Sequence, residues 1–210
     1  MSLGKTITVA VSGLLALALV APAGATNFSF TGNFTQDDDI QLFSFTVGAI
    51  STVTLRTWSY AGGTNAAGTL IPRGGFDPIL ALFSSTGALI GQNDDGGVNV
   101  PADAVTGAHY DTYLQLPSLG IGSYTVSITQ YDNFANGPNL SNGFLHEGDG
   151  NFRSGGGCSQ FRDARGDCRD GHWAFDVLNV QDATAVPEPG TLTLLGLGLA
   201  SLWSRRRSRA

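Results

Sequence analysis

Alternation with a period of two runs through the middle of this 210-residue chain. Phe43, Phe45 and Val47 take every second position, and Val53, Leu55 and Thr57 alternate with Thr54, Arg56 and Trp58. Tyr124, Val126 and Ile128 alternate with Thr125, Ser127 and Thr129; Phe28, Phe30 and Phe34, and later Phe175 and Val177, keep the same even spacing. Successive side chains of a strand point to opposite faces, so one set turns to a core and the other to solvent. Ile79 to Phe83 is a short continuous apolar run, the pattern of a strand buried on both faces. Gly, Asn and Asp cluster between the runs and supply turns. With almost no 3.6-residue periodicity, the pattern predicts an all-β protein, a jelly-roll-like antiparallel β-sandwich of about eight strands.

Two stretches break this rhythm. Residues 133–171 are rich in Gly, Asn, Asp and Arg, with isolated apolar residues, and are too long for a hairpin loop. They read as an ordered surface insertion or as a mobile loop. Gly62 to Gly75 is a smaller loop of the same kind. Cys158 and Cys168 are the chain's two cysteines, and an even pair in an exported chain reads as a disulfide, with two free thiols as the alternative. Asp163, Asp167 and Asp170 interleave with Arg162, Arg165 and Arg169 and read as charge pairs around that bridge, each worth little if exposed.

Export is written at the N-terminus. Lys5 is followed by an almost wholly apolar run from Ile7 to Val20, then by Ala23-Gly24-Ala25, a small-x-small cleavage site with Ala23 and Ala25 as its small residues. That order is a secretory signal peptide over residues 1–25, a signal helix removed by signal peptidase; an uncleaved anchor is the alternative. The C-terminus carries Val186-Pro187-Glu188-Pro189, an uncharged stretch from Thr191 to Trp203, and a basic tail of Arg205, Arg206, Arg207 and Arg209. As a helix the stretch is about 20 Å long, short of the ~30 Å hydrocarbon core. Arginines after it suit the cytoplasmic side.

These three parts in this order resemble the PEP-CTERM sorting signal. The resemblance implies recognition and cleavage by an exosortase near Pro-Glu-Pro, a Gram-negative host that makes exopolysaccharide, and release or attachment of the product outside the cell. Localisation is then the periplasm, outer surface or medium, with a transient inner-membrane stage through the short C-terminal helix. A plain tail anchor is the alternative.

Between the ends lies one domain, residues 26–185, with the insertion inside it and the sorting segment at residues 186–210. Residues 26–189 hold six arginines against all seventeen acidic residues, a balance of −11 where the whole chain has −6. Such a body repels nucleic acid and tolerates divalent cations.

The body has a second resemblance. Asp37-Asp38-Asp39-Ile40-Gln41-Leu42-Phe43-Ser44-Phe45, Phe76-Asp77-Pro78-Ile79-Leu80-Ala81-Leu82-Phe83, Asn93-Asp94-Asp95-Gly96-Gly97 and Tyr124-Thr125-Val126-Ser127-Ile128 are similar to strands and acidic turns of bacterial pre-peptidase C-terminal (PPC) domains. The cysteine-bearing loop departs from that pattern. The resemblance implies a non-catalytic jelly roll used for binding or adhesion outside the cell.

Asp37, Asp38 and Asp39, and Asn93, Asp94 and Asp95 with Asp77, are candidate calcium ligands, because calcium takes six to eight oxygens from flexible turns. The same residue types are ordinary turn formers. Glu147, Asp149 and Asn151 form a weaker oxygen cluster without the EF-hand spacing. His109, His146 and His172 stand in no catalytic motif, and the chain reads as a non-enzyme, with a secreted hydrolase of matrix polysaccharide or protein as the alternative. Trp58, Tyr60, Tyr110, Tyr113, Tyr131 and Trp173 suit either a face stacking on exopolysaccharide or core packing.

Overall fold

The computed structural model describes residues 24–187 apart from Ser159. The signal segment before Gly24, and Glu188 to Ala210 with the uncharged stretch and basic tail, lie outside the described residues, so neither expected terminal helix is described.

The body is two antiparallel sheets face to face. One has four strands in the order β1–β12–β3–β8: β1 (Thr26–Asn33), β3 (Ser51–Thr57), β8 (Tyr113–Leu119) and β12 (His172–Val180). The other has five in the order β13–β2–β9–β6–β7: β2 (Gln41–Val47), β6 (Pro78–Ser84), β7 (Leu89–Asn93), β9 (Gly122–Gln130) and β13 (Asp182–Val186). Two short ribbons decorate them, β4 (Gly63–Thr64) with β5 (Leu70–Ile71), and β10 (Phe161–Arg162) with β11 (Cys168–Arg169). The expected all-β sandwich is present, with nine strands in its two sheets.

The alternation does what the sequence predicts on the inner faces. Phe43, Phe45 and Val47 of β2 and Val53 and Leu55 of β3 are fully buried in one cluster with Val126, Ile128, Phe175 and Val177. Phe30 and Phe175 both pack on Phe43, their ring centroids 4.8 Å and 5.0 Å away. Aromatic rings at these separations add to the burial of their area.

The outer faces depart from simple alternation. Ser127 and Thr129 of β9, and Ala174 and Asp176 of β12, are buried although their positions alternate with the core set. Two loops fold back as covers. Residues 133–147 lie over the five-stranded sheet, where Ala135 and Phe144 pack with Ala81 and Phe83 in a second small cluster. This explains the continuous apolar run of β6: Leu80 and Leu82 face the main core, while Ala81 and Phe83 face the cover. Within the insertion a short 3-10 turn at Leu140–Asn142 is capped reciprocally by Asn139 and Asn142. Over the four-stranded sheet, the 58–71 segment turns Trp58 Nε1 and Ala66 N onto Asp176 Oδ2, at 2.7 Å and 2.9 Å.

The expected domain ends at residue 185, with no strand expected past Val177; β13 is an additional strand that runs one residue into the sorting segment. Val186 pairs with Leu42 in the sheet, and Gln41 Nε2 donates to the Val186 carbonyl at 3.1 Å. Val186, the first residue of the motif, is therefore the last residue of an edge strand.

Candidate functional site

At one end of the sandwich three loops are tied together by the buried side chains of Asp103, Asp163 and Arg169 and by the exposed Arg73. Arg73, from the 58–77 loop, donates through Nε and Nη2 to the two oxygens of Asp103, at 2.6 Å and 3.0 Å. Asp103 also accepts Val105 N, Thr106 N and the Thr106 hydroxyl. Burial alone would raise its carboxyl, but Arg73 and these donors outweigh that and hold it well below the ordinary carboxylate range. Arg169, beside the disulfide, donates from Nε to Asp163 Oδ2 at 3.1 Å; its Nη2 lies 3.0 Å from the same oxygen. The guanidinium carbon sits 3.6 Å over the Tyr60 ring, and the Tyr60 hydroxyl donates to Asp163 at 2.7 Å. Burial, with the Asp163 bond, pushes the Tyr60 hydroxyl up.

The Cys158–Cys168 disulfide is formed, with the two Cα atoms 5.1 Å apart. It closes the segment that carries Asp163 and delivers Arg169 into the network. Of the charge pairs expected around the bridge, Asp163–Arg169 forms and is buried, whereas Asp167 and Asp170 pair with none of Arg162, Arg165 and Arg169 among the described residues. Asp103 was missed by the sequence reading, as was Asp111, a fully buried carboxylate that accepts Tyr60 N, Ala61 N and the Thr57 hydroxyl. The local signal for Asp103 is Thr106 three residues on, whose amide and hydroxyl both donate to it; Asp111 is held by donors some fifty residues away, which leave no local signal.

The expected calcium residues fall in two places. Asp37, Asp38 and Asp39 turn to different main-chain amides: Asp37 accepts Arg153 N, Asp38 accepts Gly148 N at 3.1 Å, and Asp39 accepts Thr35 N and Gln36 N. They hold the 147–153 loop against the 34–40 turn, and this brings the Glu147–Asn151 cluster beside them. Asp77, Asn93, Asp94 and Asp95 share one corner, set by the pairing of β6 with β7 and by the Thr112 hydroxyl, which bridges the Pro78 and Asp94 carbonyls. Asp77 is buried and its Oδ1 has no hydrogen-bond partner. Burial, and then the charges of Asp95 and Asp94, push its carboxyl well above the ordinary range. Among the described residues no three His, Cys, Asp or Glu side chains come together as a metal-holding group.

The histidines are tied into loops. His109 Nδ1 contacts the Val100 carbonyl at 2.8 Å, His146 stacks on Phe152 with centroids 4.1 Å apart, and His172 Nε2 lies 3.1 Å from the Pro72 carbonyl. The aromatic residues are dispersed. Trp173 and Tyr60 are buried. Trp58 is held between Arg56, 3.7 Å from its ring, and Gly63, where a Cβ would come within 2.7 Å of the ring at φ +136°.

On the outer face of the five-stranded sheet, where the cover ends, a groove of about 600 Å³ opens beside β13. Leu42, Leu140 and Phe144 form its apolar floor, and Val186 and Pro187 stand at its mouth.

The fold and its cross-braced loops define a disulfide-bearing antiparallel β-sandwich whose last strand runs straight into the sorting segment. Residues 185–208 match the PEP-CTERM protein-sorting motif. No curated protein matches the chain. The motif marks an exported protein, transiently anchored to the membrane through its C-terminal region and processed by an exosortase. Among the described residues no helix is long and apolar enough to cross a membrane.

Proposed function

We propose that the sandwich is a non-enzymatic module of the cell envelope or exopolysaccharide matrix, delivered by signal peptidase and exosortase and acting by binding or scaffolding. The observation that carries this reading is the loop end of the sandwich. Three loops of unrelated sequence are cross-braced by Arg73–Asp103, Arg169–Asp103 and the Tyr60–Asp163 hydrogen bond, with Arg169–Asp163 and the Cys158–Cys168 bridge closing the third loop on itself. Bracing of this kind presents a fixed surface, as binding loops on a rigid scaffold do. Exposed Leu70, Val98 and Val105 stand on these loops and are the apolar side chains this surface would offer a partner. The likeness of the body to PPC domains agrees with this role.

Calcium belongs to the same proposal. The unpartnered Asp77 Oδ1 beside Asp94 and Asp95 supports it, with the remaining oxygens supplied by main-chain carbonyls and water. At Asp37, Asp38 and Asp39 one oxygen of each carboxylate accepts main-chain amides, and the buried Asp37 Oδ1 has no hydrogen-bond partner, so this turn is a second candidate for calcium.

The test is mobility on native gels cast with exopolysaccharide from an exosortase-bearing host. The processed protein is retarded, and Val98→Asp with Val105→Asp relieves the retardation. No retardation by any polysaccharide overturns the reading, and release of reducing ends or peptide fragments favours the hydrolase alternative.

A further inference from the structure

Leu42 and Val186 are an apolar pair on the outer face of the five-stranded sheet, opposite one another in register. Elsewhere on that face the 133–147 cover supplies Ala135 and Phe144 as partners. Here the cover stops, leaving the groove of about 600 Å³, lined also by Leu140 and Phe144, within the ~300–1,000 Å³ of sites built to hold a ligand. Its rim is acidic: Asp38, Asp39 and Glu147 line it.

The chain passes from its mouth at Pro187 into Glu188-Pro189-Gly190 and then the uncharged stretch Thr191–Trp203, followed by four arginines. Three linking residues reach at most ~10 Å, so the stretch begins beside the groove. A tether this short gives an effective concentration of about millimolar or more, ahead of any free partner or second copy. The charges also match, four arginines against three acidic rim residues in a body of strong negative charge.

We propose that in the unprocessed chain, away from lipid, this groove is the docking site of the chain's own apolar stretch Thr191–Trp203. The sandwich covers its sorting segment until a membrane takes it, and cleavage leaves the groove open on the mature protein. The inference rests on the segment being retained until an exosortase acts.

The experiment is hydrogen exchange on the unprocessed chain, residues 26–210, made in a host without exosortase and held in detergent-free buffer. Leu194→Asp with Leu195→Asp leaves every residue of the sandwich in place. It raises exchange at residues 138–147 by about tenfold or more, as expected when a local cover is lost, with β9 unchanged. Addition of anionic lipid vesicles to the unsubstituted chain raises exchange at the same residues. Equal exchange at 138–147 in both chains overturns the proposal. Protection that falls on dilution also overturns it, because it assigns the groove to a second copy. Failure of processing is read separately, as an uncut C-terminus in the mass of protein from the exosortase-bearing host.

Discussion

Arg169 Nε bonds Asp163 Oδ2 at 3.1 Å across the turn of the β10–β11 ribbon, and both side chains are shut off from solvent. Neither charge has water to fall back on. Asp163→Asn therefore leaves the buried Arg169 guanidinium with Asp103, 3.8 Å away, as its remaining counter-charge, and costs about 3 kcal/mol. Arg165→Ala, two residues away at an exposed position, changes stability by less than ~0.5 kcal/mol. Urea unfolding midpoints at constant slope separate the two cases.

Asp103 sets a pH dependence. Its carboxyl lies below the ordinary range in the folded protein because Arg73, Val105 and Thr106 donate to it. In the unfolded chain it titrates near ~3.9. A depressed folded value contributes stability above the unfolded value, and that contribution is lost as pH falls toward the folded one. Asp103→Asn is therefore clearly destabilising at neutral pH, and its gap from the wild type narrows as the solution is taken well below pH ~4. Urea midpoints at the two pH values measure both gaps. A gap of constant size contradicts the assignment.

The disulfide closes a loop of sequence separation 10. In the chain-entropy model it contributes about 2–3 kcal/mol. Cys158→Ser with Cys168→Ser lowers the thermal midpoint accordingly. Amide exchange rises first around Phe161–Arg169, while β9 keeps its protection.

Calcium is predicted to raise the melting midpoint relative to EDTA by bridging Asp77 to Asp94 or Asp95, whose charges repel in its absence. Asp77→Asn removes the difference. An unchanged midpoint in the unsubstituted protein sinks the calcium site.

The sandwich was legible because period-two alternation is a direct image of strand geometry. Phe43, Phe45, Val53 and Leu55 fall in the core where the pattern puts them. The buried outer positions were not. Ser127, Thr129 and Asp176 read as solvent-facing because alternation describes a strand and is blind to a loop that returns over the sheet. The cover over β6 left a trace in the unbroken apolar run Ile79–Phe83, whereas the cover over β12 left none, since Asp176 is buried by hydrogen bonds from Trp58 and Ala66. The bracing network was half legible. Asp163 and Arg169 are near neighbours in sequence, but Arg73 and Asp103 are thirty residues apart, with β6 and β7 between them. β13 was obscured because the sorting motif and the strand overlap at Val186.

In the proposed processing the chain is exported, stapled and cut at both ends to release a β-sandwich. Intact mass of the protein secreted by an exosortase-bearing host tests it most directly. The account predicts a product that begins near Thr26 and ends near Pro187–Pro189, lighter by two hydrogens for the Cys158–Cys168 bridge. A product that still ends at Ala210 in that host contradicts it.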